Sequence, residues 1–165
     1  MVGAKIEAGS RWSATRIAGV AGVVLLAVAL AGCGGAEERK AEYMKRAKAH
    51  LEEDNLPKAK VELKNVLQID PKDAQGHFLL GKVQATHENW RKAYARYNKA
   101  VELDPKHIEA HVKLAEMLLG TGQTQQARQH IDQILKLQPE HPRGGVCAAA
   151  ALAKKNKVDE AISGV

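Results

Sequence analysis

The sequence predicts an all-α chain built as a solenoid of antiparallel helix pairs, and three observations carry that prediction. One 34-residue unit is written three times between Lys40 and His141, with Pro71, Pro105 and Pro139 closing similar phrases. Counted back from those prolines, small residues recur at Ala47, Gly81, Ala115 and Ala149, and again at Ala59, Ala93, Ala127 and Ala161. Larger apolar residues recur at Leu63, Tyr97 and Ile131, and Val66, Ala100 and Ile134 share a fourth place. Self-similarity at this period marks stacked helical repeats. The small places let two helices approach closely, and the large ones fill the gap left between them.

The chain opens differently. Lys5, Arg11 and Arg16 make a basic leader, and Ile17 to Ala31 is then apolar apart from glycine. That run is shorter than the roughly 20 residues of a membrane helix, and it ends in small residues, the anatomy of a secretory signal peptide over residues 1–32. A short anchor that stays attached is the alternative. Leu30-Ala31-Gly32-Cys33 resembles the bacterial lipobox, with cleavage before the cysteine. That resemblance makes Cys33 the acylated first residue of the mature protein, and Gly34 after it implies sorting to the outer membrane rather than the inner. Residues 33–39 hold the lipidated cysteine and a tether; the seven residues from Gly34 to Lys40 reach at most about 25 Å when extended.

Without the leader the charge is mild. The whole chain has 25 basic and 19 acidic side chains; residues 1–32 hold three and one, which leaves 22 against 18, a formal +4. The charges are interspersed, as on a solvated helical surface, and supply no electrostatic footprint for nucleic acid.

Each unit reads as two helices. The first covers residues 40–73, with helices near 40–53 and 57–69. Asn55 sits at its turn, where tolerance of positive φ helps, and Pro57 suits the first turn of the second helix. The second unit covers 74–107, with helices near 74–87 and 90–103 and Asn89 at the same turn place. The third covers 108–141, its helices near 108–120 and 124–137 flanking Gly120 and Gly122. Asp70, Asp104 and Gln138 end the second helices, because the residue before a proline is pushed out of the helical region. A partial fourth unit covers 142–165: Val146 to Ala153 carries no charge, and Asp159-Glu160-Ala161 opens its second helix. Since a solenoid needs a polar terminal helix, a stop at Val165 is read as truncation of a longer array or a frayed last helix.

These phrases resemble the tetratricopeptide repeat (TPR). The second copy matches with Leu80, Gly81, Ala93, Tyr97, Ala100 and Pro105, and the third with Leu114, Ala115, Ala127 and Pro139. The first departs at Arg46, where the pattern has leucine. The resemblance implies a protein-binding concave face, lined by Met44, Lys48, Leu51, Phe78, Lys82, Ala85, Val112, Glu116 and Leu119. Such a groove, apolar with a few charges, suits an extended or helical peptide, although Met44, Phe78 and Val112 can equally pack between neighbouring helices. One subtype clamps a C-terminal carboxylate; its places here hold Met44, Lys48, Leu79, Glu109 and Lys113, of which only Lys113 fits.

Nothing in the sequence points to an enzyme. His107 and His111 stand four apart, but no cysteine lies close and Glu109 is not placed as in His-Glu-x-x-His, so packing and capping are expected rather than a metal site. Cys147 beside Ala148 to Ala151 reads as a small buried hydrophobe. Trp90 opens a helix and is expected to pack between repeats. Gly144-Gly145 is a loose helix start rather than a phosphate cradle, and no cofactor is implied.

The sequence therefore implies a lipid-anchored TPR scaffold of the bacterial envelope, facing the periplasm. Its partner is a protein or peptide, with neither nucleic acid nor a small-molecule substrate expected. Val61-Glu62-Leu63-Lys64-Asn65-Val66-Leu67, Asp70-Pro71 and Leu79-Leu80-Gly81-Lys82 resemble TPR lipoproteins of exosortase (PEP-CTERM) and exopolysaccharide export systems. Pilotin-type lipoproteins share the same plan, and a recruitment segment of a longer enzyme is the reading from another class. A nucleic-acid-binding repeat protein would require a chain that stays in the cytosol.

Overall fold

A 34-residue period dictates where each helix must stop, and the stops are the most regular feature of the fold. The computed structural model describes the backbone of residues 35–163 and side chains through residue 156. The leader, Leu30, Ala31, Gly32, Cys33 and Gly34 lie outside the described residues, as do the side chains of Asp159, Glu160 and Ala161. The described helices are α1 (35–52), α2 (Leu56–Ile69), α3 (Ala74–Thr86), α4 (Trp90–Leu103), α5 (Ile108–Gly120), α6 (Thr124–Leu137) and α7 (Pro142–Ser163).

Asp70, Asp104 and Gln138, each ahead of a proline, end α2, α4 and α6 outside the helical region, with φ of −130°, −131° and −146°. Each donates its N–H at 2.8 Å to the carbonyl of the shared fourth place, Val66, Ala100 or Ile134. Asp70 and Asp104 add something the proline rule does not contain: their carboxylates accept from the amides of Lys72 and Lys106 at 3.0 Å and so hold the turn. At the next start, Asp73 caps α3 through Gly76 N at 2.7 Å. His107 and His141, in the same register, accept from Ala110 N and Gly144 N at 3.3 and 3.2 Å. These contacts satisfy amides that no helical carbonyl can reach.

The turn inside each pair departs from expectation. Positive φ falls on Asp54 (55°), Glu88 (56°) and Gly122 (78°), one residue before the place assigned from Asn55 and Asn89. Asn55 instead caps α2 weakly, accepting from Lys58 N at 3.4 Å, and Asn89 makes no cap bond. The left-handed residue lets the following amide reach back to His50, Gln84 or Leu118 at 2.7–3.0 Å, closing each first helix.

From α2 onward successive helices stack, each on the next, and α5 also meets α7. All the landmark places of the first three copies are buried: Ala47, Ala59, Ala93, Ala115 and Ala127 have no exposed surface, and Leu63, Tyr97 and Ile131 expose at most 3%. Gly81 is small for a reason, since a Cβ there would sit 2.7–2.8 Å from the Tyr97 ring. Arg46, the departure in the first copy, lies at the surface. Its guanidinium covers the Tyr43 ring at 4.7 Å and donates to Glu62 and Glu42.

Two expectations need correction. Residues 35–39, read as part of the tether, are helical; Ala36, Glu37, Glu38 and Arg39 are strong helix formers. The turn expected before Asp159 does not form, and α7 runs through it as one 22-residue helix. Ala149, the small place of the fourth copy, is consequently exposed.

Candidate functional site

The nine residues assigned to the concave face do not form one continuous groove. Lys48 and Leu51 of α1 meet Phe78 and Lys82 of α3 in a cleft of about 410 Å³, completed by Glu52, Gln75, Leu79 and Glu109. Ala85 and Glu116 line a larger cleft of about 860 Å³ between the second and third repeats. Met44 is half-buried against the core of the first two repeats, Val112 is buried, and Leu119 is buried beside Cys147 and Ala151. Those three hold the stack together, and Phe78 does both jobs: it lines the small cleft, and its ring lies 5.8 Å from Tyr97 and 4.7 Å from His107.

The larger cleft is one the sequence reading did not anticipate. Trp90 and Tyr94, four apart on α4, form one wall; Trp90 is 56% exposed rather than packed between repeats. Met117 and Gly120 of α5, with Thr121 just past its end, face them, and Tyr97 closes the floor. A tryptophan in the first turn of a helix, followed by tyrosine at i+4, places both rings on one face, and that spacing is the signal that could have found the site. Glu116 carries two cations: Lys113 lies at 3.3 Å, and Arg143 of α7 pairs with it from the other side. Burial, with Glu116 nearby, pushes the Tyr97 hydroxyl up to about 12, so it is a neutral donor.

The polar groups between paired helices explain why histidine suits its place. His77 Nε2–H donates to the Pro71 carbonyl at 3.0 Å, which leaves Nδ1 to accept from Arg96 at 3.1 Å. In the next repeat His111 Nε2–H donates to the Pro105 carbonyl at 3.1 Å, and its Nδ1 lies 2.9 Å from Nδ1 of His130, which must donate. Burial, then the proximity of His111, pulls His130 down to about 4. His107 both caps α5 and donates Nε2–H to Gln75 of α3 at 2.9 Å. Cys147 is buried and its thiol is pushed up by that burial. Among the described residues no three histidine, cysteine or carboxylate side chains gather as metal ligands.

Over residues 35–164 the chain matches the family described as cytochrome c-type biogenesis protein H TPR domain. None of the curated proteins matches it in sequence. Among solved structures it resembles a mutant of the O-GlcNAc transferase of Thermobaculum terrenum, at 23% identity and a TM-score of 0.64. That alignment covers 71% of this chain but only 22% of the transferase, so the chain spans about a fifth of that protein's length. It also resembles the TPR2B domain of yeast Sti1 in complex with pHsp70, at 19% identity and a TM-score of 0.60 over 72% of this chain and 98% of that one. The type III secretion chaperone SycD of Yersinia enterocolitica, in complex with a peptide of the translocator YopD, matches at 17% identity and a TM-score of 0.62. There the alignment covers 71% of this chain and 92% of that one.

Proposed function

We propose that the chain, which belongs to the family of the cytochrome c-type biogenesis protein H TPR domain, is a protein-binding scaffold held at the bacterial envelope by a lipid on Cys33. The observation that carries the scaffold reading is the pair of clefts, each lined by side chains from successive repeats. A site shared between repeats exists only when the repeats are stacked, and it offers apolar contact with charged edges, the combination a peptide segment needs. The Sti1 and SycD domains, of similar fold, hold protein or peptide partners.

The lipid anchor rests on Leu30-Ala31-Gly32-Cys33 behind a basic and apolar leader. With more than one acyl chain such an anchor is stable. The resemblance of the Val61–Leu67 phrase supports a place in exopolysaccharide or protein-sorting export. The family description favours a second setting, assembly of c-type cytochromes.

Two measurements test this. Intact mass of the protein from its native membrane fraction should correspond to cleavage before Cys33 plus acyl chains, and Cys33→Ser should lose both the added mass and the membrane association. A photo-crosslinking residue in place of the exposed Lys82 should trap a discrete protein partner in the envelope; trapping none would remove the scaffold reading. A deletion strain separates the two settings, one predicting lost exopolysaccharide or sorted surface protein and the other lost haem-stained c-type cytochromes.

A further inference from the structure

We propose that the larger cleft is a selective pocket for an acidic protein segment that inserts one aromatic side chain between Trp90 and Met117. The proposal rests on the scaffold reading and adds which cleft holds the client and by what chemistry.

Four observations carry it. The cleft's volume of about 860 Å³ falls within the range of about 300–1,000 Å³ usual for ligand sites. Its wall is aromatic: Trp90 is 56% exposed, and a large ring left open at the rim of a cleft marks a contact surface. Its charge is positive. Arg91 lines it without a hydrogen-bond or ion-pair partner among the described residues, while Glu116, its one acid, is shared by Lys113 and Arg143. Two cations, Arg91 and Lys113, therefore line the cleft against one carboxylate, which Arg143 of α7 also pairs. Glu88, on the turn ahead of Trp90, does not line the cleft.

The fourth observation is Tyr97. It is 99% buried, since only 1% of its surface is exposed, and it reaches the cleft floor with no hydrogen-bond partner for its hydroxyl among the described residues. Among the described residues only Gln84 Oε1 is fully buried without a partner; the Tyr97 hydroxyl instead opens to the cleft, where it can donate to an acceptor that a ligand brings. A backbone carbonyl or carboxylate of the inserted segment supplies it. Arg91 then takes an acidic side chain, for which its planar fork is suited, and the inserted ring stacks against Trp90 and Tyr94.

The test uses the full chain in detergent solution and a fluorescein-labelled hexapeptide with one phenylalanine flanked by glutamates. Fluorescence anisotropy should show saturable binding that quenches Trp90. The same peptide with lysines for glutamates, or alanine for phenylalanine, should bind at least about tenfold more weakly. Trp90→Ala and Arg91→Glu alter exposed side chains and should each lower affinity about tenfold or more. Tyr97→Phe keeps the ring in the core and should cost about threefold to tenfold.

Several results would overturn the proposal. Binding indifferent to Trp90→Ala and Arg91→Glu but abolished by Lys48→Glu with Lys82→Glu would move the client to the smaller cleft, leaving the scaffold reading intact. Phenylpropionate competing as strongly, mole for mole, as the hexapeptide would replace the protein segment by a small aromatic acid. If none of the peptides binds, the pocket assignment fails, while the crosslinking test at Lys82 still decides the scaffold reading separately.

Discussion

Helices α5 and α7 occupy the same place in the repeat, yet one is closed and the other open. Both turn an apolar face toward the preceding repeat. Ala110 and Leu114 are fully buried on α5, and Cys147 and Ala151 expose 4% and 2% on α7. They differ on the side where a second helix belongs. On α5 the small Ala115 lies under α6, whose Ile131 is 3% exposed. On α7 the matching Ala149 is exposed between Val146 and Leu152, which are 69% and 54% open. The lesson is that a helix in register is half a repeat. Its contact with the previous pair is written in its own residues, but its small place becomes core only when a large residue of the following helix lands on it.

Removing that large residue should give the greatest effect. Ile131→Ala leaves a cavity over Ala115 and is expected to cost about 2–5 kcal/mol in urea unfolding. Leu152→Ser on the open helix should stay within about 0.5 kcal/mol. Equal losses at the two sites would mean that α7 is covered in solution and the contrast is unfounded.

A subtler break uses the small place itself. In α3 it is Gly81, where a Cβ would meet the Tyr97 ring at 2.7–2.8 Å. The ring is buried beside Phe78 and cannot swing away without disturbing that contact. Gly81→Ala should therefore destabilise by about 1–3 kcal/mol despite its better helix propensity. Ala149→Leu, in the open equivalent, should leave the unfolding midpoint nearly unchanged. A stabilising Gly81→Ala would show that α3 and α4 can separate at no cost.

Acid should act on the closed pairs alone. His77 and His111 face the paired helix, while α7 carries Gly145 in their place. Burial lowers His77 and His111, with Arg96 and His107 adding to it, and takes His130 down to about 4. These groups resist protonation in the folded state and accept it readily near 6.5 when unfolded. Stability is thus complete above about pH 6.5 and is lost as pH falls toward 4. His130 is only half-buried, so after allowance for solvent screening about 1 kcal/mol is expected from it. Thermal melts at stepped pH should show this slope, and His130→Gln should flatten it. Asp70 is held low by Lys40 and by the Lys72 amide, so its contribution is lost only at still lower pH. An unchanged slope in His130→Gln would remove the histidine pair from the account.

What was legible in the sequence follows the same division. The proline-ended helices and the buried landmarks could be read because each is enforced by one residue type at a fixed spacing: Pro71 forbids helix at Asp70, and Tyr97 requires Gly81. The left-handed turn residue was misplaced because Asn55 and Asn89 look like turn formers, whereas Asp54 and Glu88 carry the positive φ under tertiary constraint. Lys48, Leu51, Phe78 and Lys82 share the smaller cleft because the repeat geometry sets the first helices of two successive repeats side by side. The larger cleft was not legible: the four-residue spacing of Trp90 and Tyr94 signals a shared face of α4, but that Trp90 stays outside the stack is set by the packing of the repeats.

The smallest effect makes the sharpest comparison, because its sign should reverse along the chain. Asp54, Glu88, Gly122 and Asn156 share one place; the first three have φ of 55°, 56° and 78°, while Asn156 is helical within α7. A non-glycine residue in the left-handed region is strained, and glycine is not. Glu88→Gly should therefore stabilise the chain by about 0.5 kcal/mol, the strain relieved exceeding the extra freedom gained by the unfolded chain. At Asn156 no strain exists to relieve, and glycine only weakens a helix, by about 0.5 kcal/mol. That loss should register as faster amide exchange across residues 150–163 with no shift in the global unfolding midpoint. A stabilising Asn156→Gly would mean that α7 turns at this place in solution and that the fourth small place is closed after all.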